Sequence, residues 1–214
     1  MKLIVGLGNP DSKHEKTRHN LGFMIIDSLF KNYSSPKDSF KEEKKFKSQI
    51  AELKWQPKKS IGERVILAKP LTYMNNSGLA VKSIASFYKI SSEDVWIIHD
   101  EVDLPLGAMK IRLGGSSAGH KGVESILENL KTDKFWRFRM GIGEQKSKLE
   151  NPAKGEARYR RQKSKLRAID DFVLGGFGES ERGKAREIIK KGTKAIEDAL
   201  EEGLEKAMNR FNTK

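Results

Sequence analysis

Apolar residues fall along this chain in short runs of two periods, and their order predicts strands alternating with helices. Leu3-Ile4-Val5-Gly6-Leu7 is a continuous run of strand length that stops at Gly8-Asn9-Pro10. Glycine and proline end a strand and leave polar side chains beyond its carboxyl end. Leu21-Gly22-Phe23-Met24-Ile25-Ile26 opens a helix over about 20–33. A polar, lysine-rich stretch at 34–47 follows. The alternating stretches 49–53 and 64–68 then predict a hairpin, with turn residues in 57–63. Val81, Ile84, Ala85, Phe87 and Tyr88 make the apolar face of a second helix, and Asp94-Val95-Trp96-Ile97-Ile98 reads as a buried strand broken by His99-Asp100-Glu101.

Further on, Met109-Lys110-Ile111-Arg112-Leu113 alternates and ends in Gly114-Gly115. The loop 116–120 opens a helix carrying Val123, Ile126, Leu127 and Leu130, and a strand at 138–142 follows. A last long helix over about 181–208 places Ala185, Ile188, Ile189, Ala195, Ile196, Ala199, Leu200 and Leu204 at helical spacing. Its interior Gly192 and Gly203 weaken it by about 1 kcal/mol each relative to alanine. The expected fold is α/β: a single domain over 1–214, three-layer α/β/α, with a twisted mixed β-sheet flanked by helices.

Composition narrows the function. No apolar run approaches the roughly 20 residues that cross a bilayer, so no membrane partner is expected. The first residues read as a strand, not as a signal peptide, and a cytoplasmic protein is expected. Without cysteine there is no disulfide, zinc-thiolate site or thiol nucleophile. The formal charge of +13 favours a polyanionic partner, nucleic acid before an anionic membrane surface. Between 145 and 167 nine Lys or Arg stand against Glu150 and Glu156, a net +7. The segment at about 145–170 therefore reads as a basic, flexible loop. Arg158-Tyr159-Arg160-Arg161 there suits phosphate pairing with base stacking, and a solvated surface loop fits equally well.

Three motif readings fail on their own terms. Gly6-Leu7-Gly8 lacks the third glycine of a dinucleotide fingerprint, because position 11 is aspartate. Gly115-Ser116-Ser117-Ala118-Gly119 matches a nucleophile elbow, but the only later histidine is His120, three residues away, so Ser, acid and His cannot follow in order. Four histidines (14, 19, 99, 120) show no i, i+4 pair and no ligand spacing, so no metal and no cofactor are expected. A water-activating site without metal or covalent nucleophile remains. His19, Asp100 and the Asn9, Asn75 and His120 loops all follow predicted strands, so one rim of the sheet can gather them. A carboxylate on one imidazole nitrogen leaves the other free to take a proton from water, and asparagine amides can hold a carbonyl or oxyanion. Taken singly, His19 also fits a first-turn helix residue, Asp100 a solvated carboxylate and Asn75 a residue near a helix cap.

The motifs Leu3-Ile4-Val5-Gly6-Leu7-Gly8-Asn9-Pro10, Thr17-Arg18-His19-Asn20 and Pro70-Leu71-Thr72-Tyr73-Met74-Asn75-Asn76-Ser77-Gly78, with His99-Asp100-Glu101-Val102-Asp103-Leu104-Pro105, Gly119-His120-Lys121-Gly122, Arg137 to Gly143 and Phe172-Val173-Leu174-Gly175, resemble the bacterial peptidyl-tRNA hydrolases in order and spacing over nearly the whole chain. The resemblance implies cleavage of the ester joining a peptide, or an N-blocked amino acid, to tRNA. His19 would be the general base and Asp100 its support. Asn9 would recognise a blocked amine, His14, Tyr73, Asn75 and Lys121 would contact tRNA, and Met74 would line the peptide side. His120 would belong to the same substrate-binding set, and Lys110, Arg112 and Arg139 would form a phosphate-binding surface. Peptidyl-tRNA is then the partner and a monomer the expected state. Lysine at 121, where the family usually has asparagine, can donate but not accept, and histidine at 14 stands where tyrosine is common. Two rivals are an RNA-binding or RNA-processing relative without catalysis, which would need no His19–Asp100 pair, and a small-ester hydrolase, which would leave +13 unexplained.

Overall fold

The computed structural model describes residues 1–57, 62–143 and 168–212; the basic loop expected at about 145–170 lies almost wholly outside them, as does part of the hairpin turn. The strands are β1 (Lys2–Gly6), β2 (Lys41–Glu43), β3 (Ser48–Trp55), β4 (Glu63–Pro70), β5 (Val95–Pro105), β6 (Met109–Leu113) and β7 (Trp136–Gly143). The helices are α1 (Leu21–Tyr33), α2 (Ser77–Tyr88), α3 (Lys121–Leu130), α4 (168–174), α5 (Arg182–Glu202) and α6 (Leu204–Phe211). All seven strands join one sheet in the order β2-β3-β4-β1-β5-β7-β6. The centre, β4, β1, β5 and β7, is parallel. The antiparallel pairs lie at the edges, β2 with β3 and β3 with β4 on one side, β6 with β7 on the other. The sheet is mixed, as the hairpin predicts.

Central parallel strands are buried on both faces, which is why β1, β4 and the start of β5 read as continuous apolar runs. Successive side chains point to opposite sides. Ile4 packs with Ile25, Leu29, Ile188 and Ile196 beneath α1 and α5, whereas Leu3 and Val5 pack with Val81, Ile84, Val123 and Ile126 beneath α2 and α3. These two apolar layers make the three-layer α/β/α sandwich. No helix of the described residues is long and apolar enough to cross a membrane.

Close backbone approaches set where the site forms. A Cβ on Gly6 would lie 2.4 Å from the carbonyl oxygen of Gly22, so α1 crosses the end of β1 in direct backbone contact. That contact carries the turn before α1, with His19, up against the first strand. A Cβ on Gly78 would lie 2.0 Å from the Ser125 carbonyl oxygen, so α2 and α3 cross at similarly close range.

Three expectations are corrected. His99-Asp100-Glu101 does not end the fifth strand: β5 continues to Pro105, with His99, Asp100 and Glu101 registered against Arg139, Met140 and Gly141 of β7. The ladder on that side holds polar residues in strand conformation. The long final helix is two helices, broken at Gly203 with φ 93° and ψ 156°, a backbone conformation that glycine adopts freely and other residues rarely. The polar stretch at 34–47 contains a short edge strand, β2, whose backbone pairing with β3 leaves no apolar period to read.

Candidate active site

The polar cluster forms where β1 and β5 deliver their carboxyl ends beside the turns preceding α1 and α3. Residues 18–20 make a single 3-10 turn before α1, and all three are buried. Arg18 fixes that turn from behind. Its guanidinium donates to the carbonyls of Gly176 (2.6 Å) and Phe172 (3.4 Å) and to Glu181 (2.7 Å), and stacks 4.3 Å from the Phe172 ring centroid. Asn20 holds the strand end: its Oδ1 accepts from the Asn9 amide (2.8 Å) and its Nδ2 donates to the Asn9 carbonyl (2.9 Å). Asn9 in turn accepts from the Met74 amide through its own Oδ1 (2.9 Å), which turns its Nδ2–H group away from that amide. Arg18 and Asn20 lie in the motif Thr17-Arg18-His19-Asn20, but nothing in sequence separates their anchoring work from the chemistry of the histidine between them.

At the centre sits Asp100, 2% exposed. His19 Nδ1 lies 2.9 Å from its Oδ1 and 3.1 Å from its Oδ2, and His120 Nε2 lies 3.0 Å from Oδ1. Burial alone would raise the carboxyl's pKa; the two imidazoles more than reverse this and hold it well below the ordinary carboxylate range. Asp100 is therefore an anion, and both facing ring nitrogens must donate to it. That sets the His19 tautomer, with the proton on Nδ1 and the lone pair on Nε2. His120 is set twice over, because its Nδ1 accepts from the amides of Gly122 (3.1 Å) and Val123 (3.3 Å) and so must be unprotonated. His99, fully buried behind His120 with ring centroids 4.8 Å apart, donates through Nδ1 to the Asp100 carbonyl, and burial first of all pushes its pKa well below the usual value.

His19, Asp100 and His120 line a cavity of about 320 Å³, together with Glu101, Val102, Lys121 and, from α4, Ile169, Asp170 and Val173. Lys121 Nζ reaches both oxygens of Asp170 across it (2.9 and 2.8 Å), so the ammonium has a carboxylate partner within the chain. Three possible metal donors, on His19, Asp100 and His120, lie within 4.8 Å of one another. A cation held through His19 Nδ1 and His120 Nε2 would have to displace both N–H protons, and the His120 proton could move only to Nδ1, against two amide N–H groups.

The remaining site residues spread outward. His14 pairs with Asp11, whose other oxygen accepts from the Tyr73 hydroxyl (3.3 Å), and the Tyr73 side chain is exposed. Asn75 is exposed on the turn before α2. Met74 is buried in the core beside Leu7 and Gly122 and is not among the residues lining the cavity. Lys110 faces Arg139, and Arg112 faces Arg137, across β6 and β7, so alternation puts all four cations on one face. Glu101 binds Arg139 (2.9 Å). Arg137 is buried, and its guanidinium donates to the carbonyls of Ser116 (2.6 Å) and Gly114, bracing the loop that leads to His120.

The chain matches the family model described as peptidyl-tRNA hydrolase over residues 3–214. A peptidyl-tRNA hydrolase of Aquifex aeolicus is 42% identical, with 99% of this chain and 96% of the relative aligned. One from Listeria welshimeri is 37% identical over 99% of this chain and all of its own length. Among solved structures, peptidyl-tRNA hydrolase from Acinetobacter baumannii superposes with a TM-score of 0.79 at 30% identity, over 100% of this chain and 95% of that one. A match of this length and identity, together with the shared fold, places the chain in the peptidyl-tRNA hydrolase family.

Proposed function

We propose that this protein hydrolyses the ester between the peptide, or an N-blocked amino acid, and the 3′-terminal ribose of tRNA, with His19 as the general base. The observation that carries this reading is the hydrogen bond from His19 Nδ1 to the buried Asp100 carboxylate on the wall of an open cavity. The bond leaves Nε2 with a lone pair and lets Asp100 stabilise the imidazolium that forms. Nε2 takes a proton from water as its oxygen attacks the ester carbon. The tetrahedral intermediate then collapses with loss of the ribose oxygen, which recovers the proton from Nε2. Asn9 Nδ2–H and the Asn75 amide supply neutral donors for the carbonyl oxygen as it gains charge, and Asn9 recognises the acylated amine.

The tRNA side is electrostatic. Lys110, Arg112 and Arg139 contact phosphates, where charge positions the RNA without reading its sequence. Tyr73 and His14 take the terminal nucleotides at the mouth, Lys121 contacts the tRNA beside them, and Met74 shapes the peptide side from beneath. The working form is a cytoplasmic monomer that needs neither metal nor cofactor.

The test is release of free tRNA from an N-blocked aminoacyl-tRNA. Loss of the general base in His19→Ala lowers kcat by about 10²–10⁴-fold. An alanine variant as fast as the wild type would remove His19 from this role.

A further inference from the structure

We infer that His120 is a positioning residue for Asp100 and binds no substrate. This rests on the hydrolysis proposed above and concerns how its base is held. A substrate-binding histidine needs a free ring nitrogen, and His120 has none. Its Nδ1 accepts from the amides of Gly122 and Val123, the second and third N–H groups of α3, so the ring serves as that helix's cap. Its Nε2–H is spent on Asp100 Oδ1, at 3.0 Å. The ring is also clamped by its neighbours, with centroids 4.8 Å from His99 and 5.0 Å from His19.

The consequence runs in one direction. The backbone of α3 fixes the proton of His120 on Nε2; that proton fixes one oxygen of Asp100; the fixed carboxylate then presents both oxygens to His19 Nδ1. A carboxylate with one imidazole partner can rotate about its Cβ–Cγ bond and carry that partner with it. With two donors from different elements it cannot. The loop before α3 accepts strain at Ala118, a non-glycine residue with φ 50°, to deliver the ring; Gly119 takes its own positive φ freely, and the His120 amide donates back to the Ser117 carbonyl (3.0 Å).

Two variants separate the two duties of the ring. His120→Asn places an amide oxygen near the position of Nδ1, a favoured helix cap, but its nitrogen falls short of Asp100. His120→Gln extends an N–H group to about the reach of Nε2. With an N-blocked aminoacyl-tRNA, the asparagine variant is expected to lose kcat by about tenfold or more, the scale of one hydrogen bond to a charged group, with KM within about twofold of wild type. The glutamine variant recovers most of that loss. A rise in KM with kcat unchanged, in either variant, would mean that His120 meets the substrate and would overturn the inference.

A second readout needs no activity. Long-range 1H–15N imidazole spectra of the wild-type protein are expected to show His120 as the Nε2–H tautomer and His19 as the Nδ1–H tautomer. An Nδ1–H tautomer at His120 overturns the inference whatever the variants do. A wild-type protein inert toward N-blocked aminoacyl-tRNA would instead refute the proposed function, leaving the tautomer measurement to judge His120.

Discussion

Asp100 is where several opposing effects meet on one carboxyl. Burial costs it charge, two imidazoles return more than that cost, and its pKa ends well below the usual value. A depressed carboxyl pKa means that the unfolded chain binds the proton more readily, so this stability is fully present above about pH 4 and drains away as pH falls below it. His99 is depressed too, chiefly by burial, so its contribution is complete above about pH 6.5 and is lost on acidification from there. The melting temperature is therefore expected to fall between pH 7 and pH 5, and His99→Leu to flatten that slope; an unchanged slope in the variant would acquit His99. Asp100→Asn removes the anion and lets the amide offer an N–H to His19, which favours the unproductive tautomer. Loss of about 10²–10⁴-fold in kcat is expected in tRNA-release assays, with the fold intact by circular dichroism.

Elements hold these residues through contacts that span the chain. Arg18 ties the turn of His19 to the segment after α4, where its backbone amide also donates to the Gly175 carbonyl (3.0 Å) and Thr17 bridges Gly176. The cavity wall made by Ile169, Asp170 and Val173 therefore depends on an arginine next to the base. Arg18→Lys keeps the charge but not the fork of donors. It should raise KM severalfold and speed hydrogen exchange over 168–176; unchanged exchange there would contradict the anchor. At the α2–α3 crossing, Gly78→Ala puts a methyl 2.0 Å from a backbone oxygen that cannot move aside cheaply. A loss of about 1–3 kcal/mol or more in urea unfolding is expected, as for overpacked interiors. Legibility in the sequence is uneven at this scale. α1, α2, α3 and the β3–β4 hairpin carry strong periods and are read directly. β5 is read only as far as Ile98, because His99-Asp100-Glu101 looks like a strand end until β7 supplies a partner for it.

For the whole molecule, the +13 charge is a statement about partners, and the fold gives part of it an address. Lys110, Arg112, Arg137 and Arg139 share one face of the β6–β7 ribbon, with Glu101 bound to Arg139. All but the last three residues of the basic segment at about 145–170 lie beyond the described residues, and its proposed part is nonspecific tRNA affinity. Deleting 146–167 should weaken tRNA binding and flatten the dependence of log Kd on log salt, since each neutralised phosphate releases counterions and steepens that dependence. An unchanged slope would sink that role.

The sequence by itself determined the order of the main strands and helices, the mixed sheet, the excess of positive charge and the short set of residues fit for acid–base work. Those follow from period, from turn chemistry and from side-chain identity, all of which are local. Only the tertiary structure decided which groups meet and which protons they carry. His19, Asp100 and His120 are 81 and 20 residues apart along the chain, yet they share one carboxylate. The tautomer of His120 depends on amides of its own helix, and the burial that shapes Asp100 and His99 depends on every layer above them. Lys121 finds Asp170 across the cavity for the same reason: a pairing 49 residues away has no signature in the pattern around either residue.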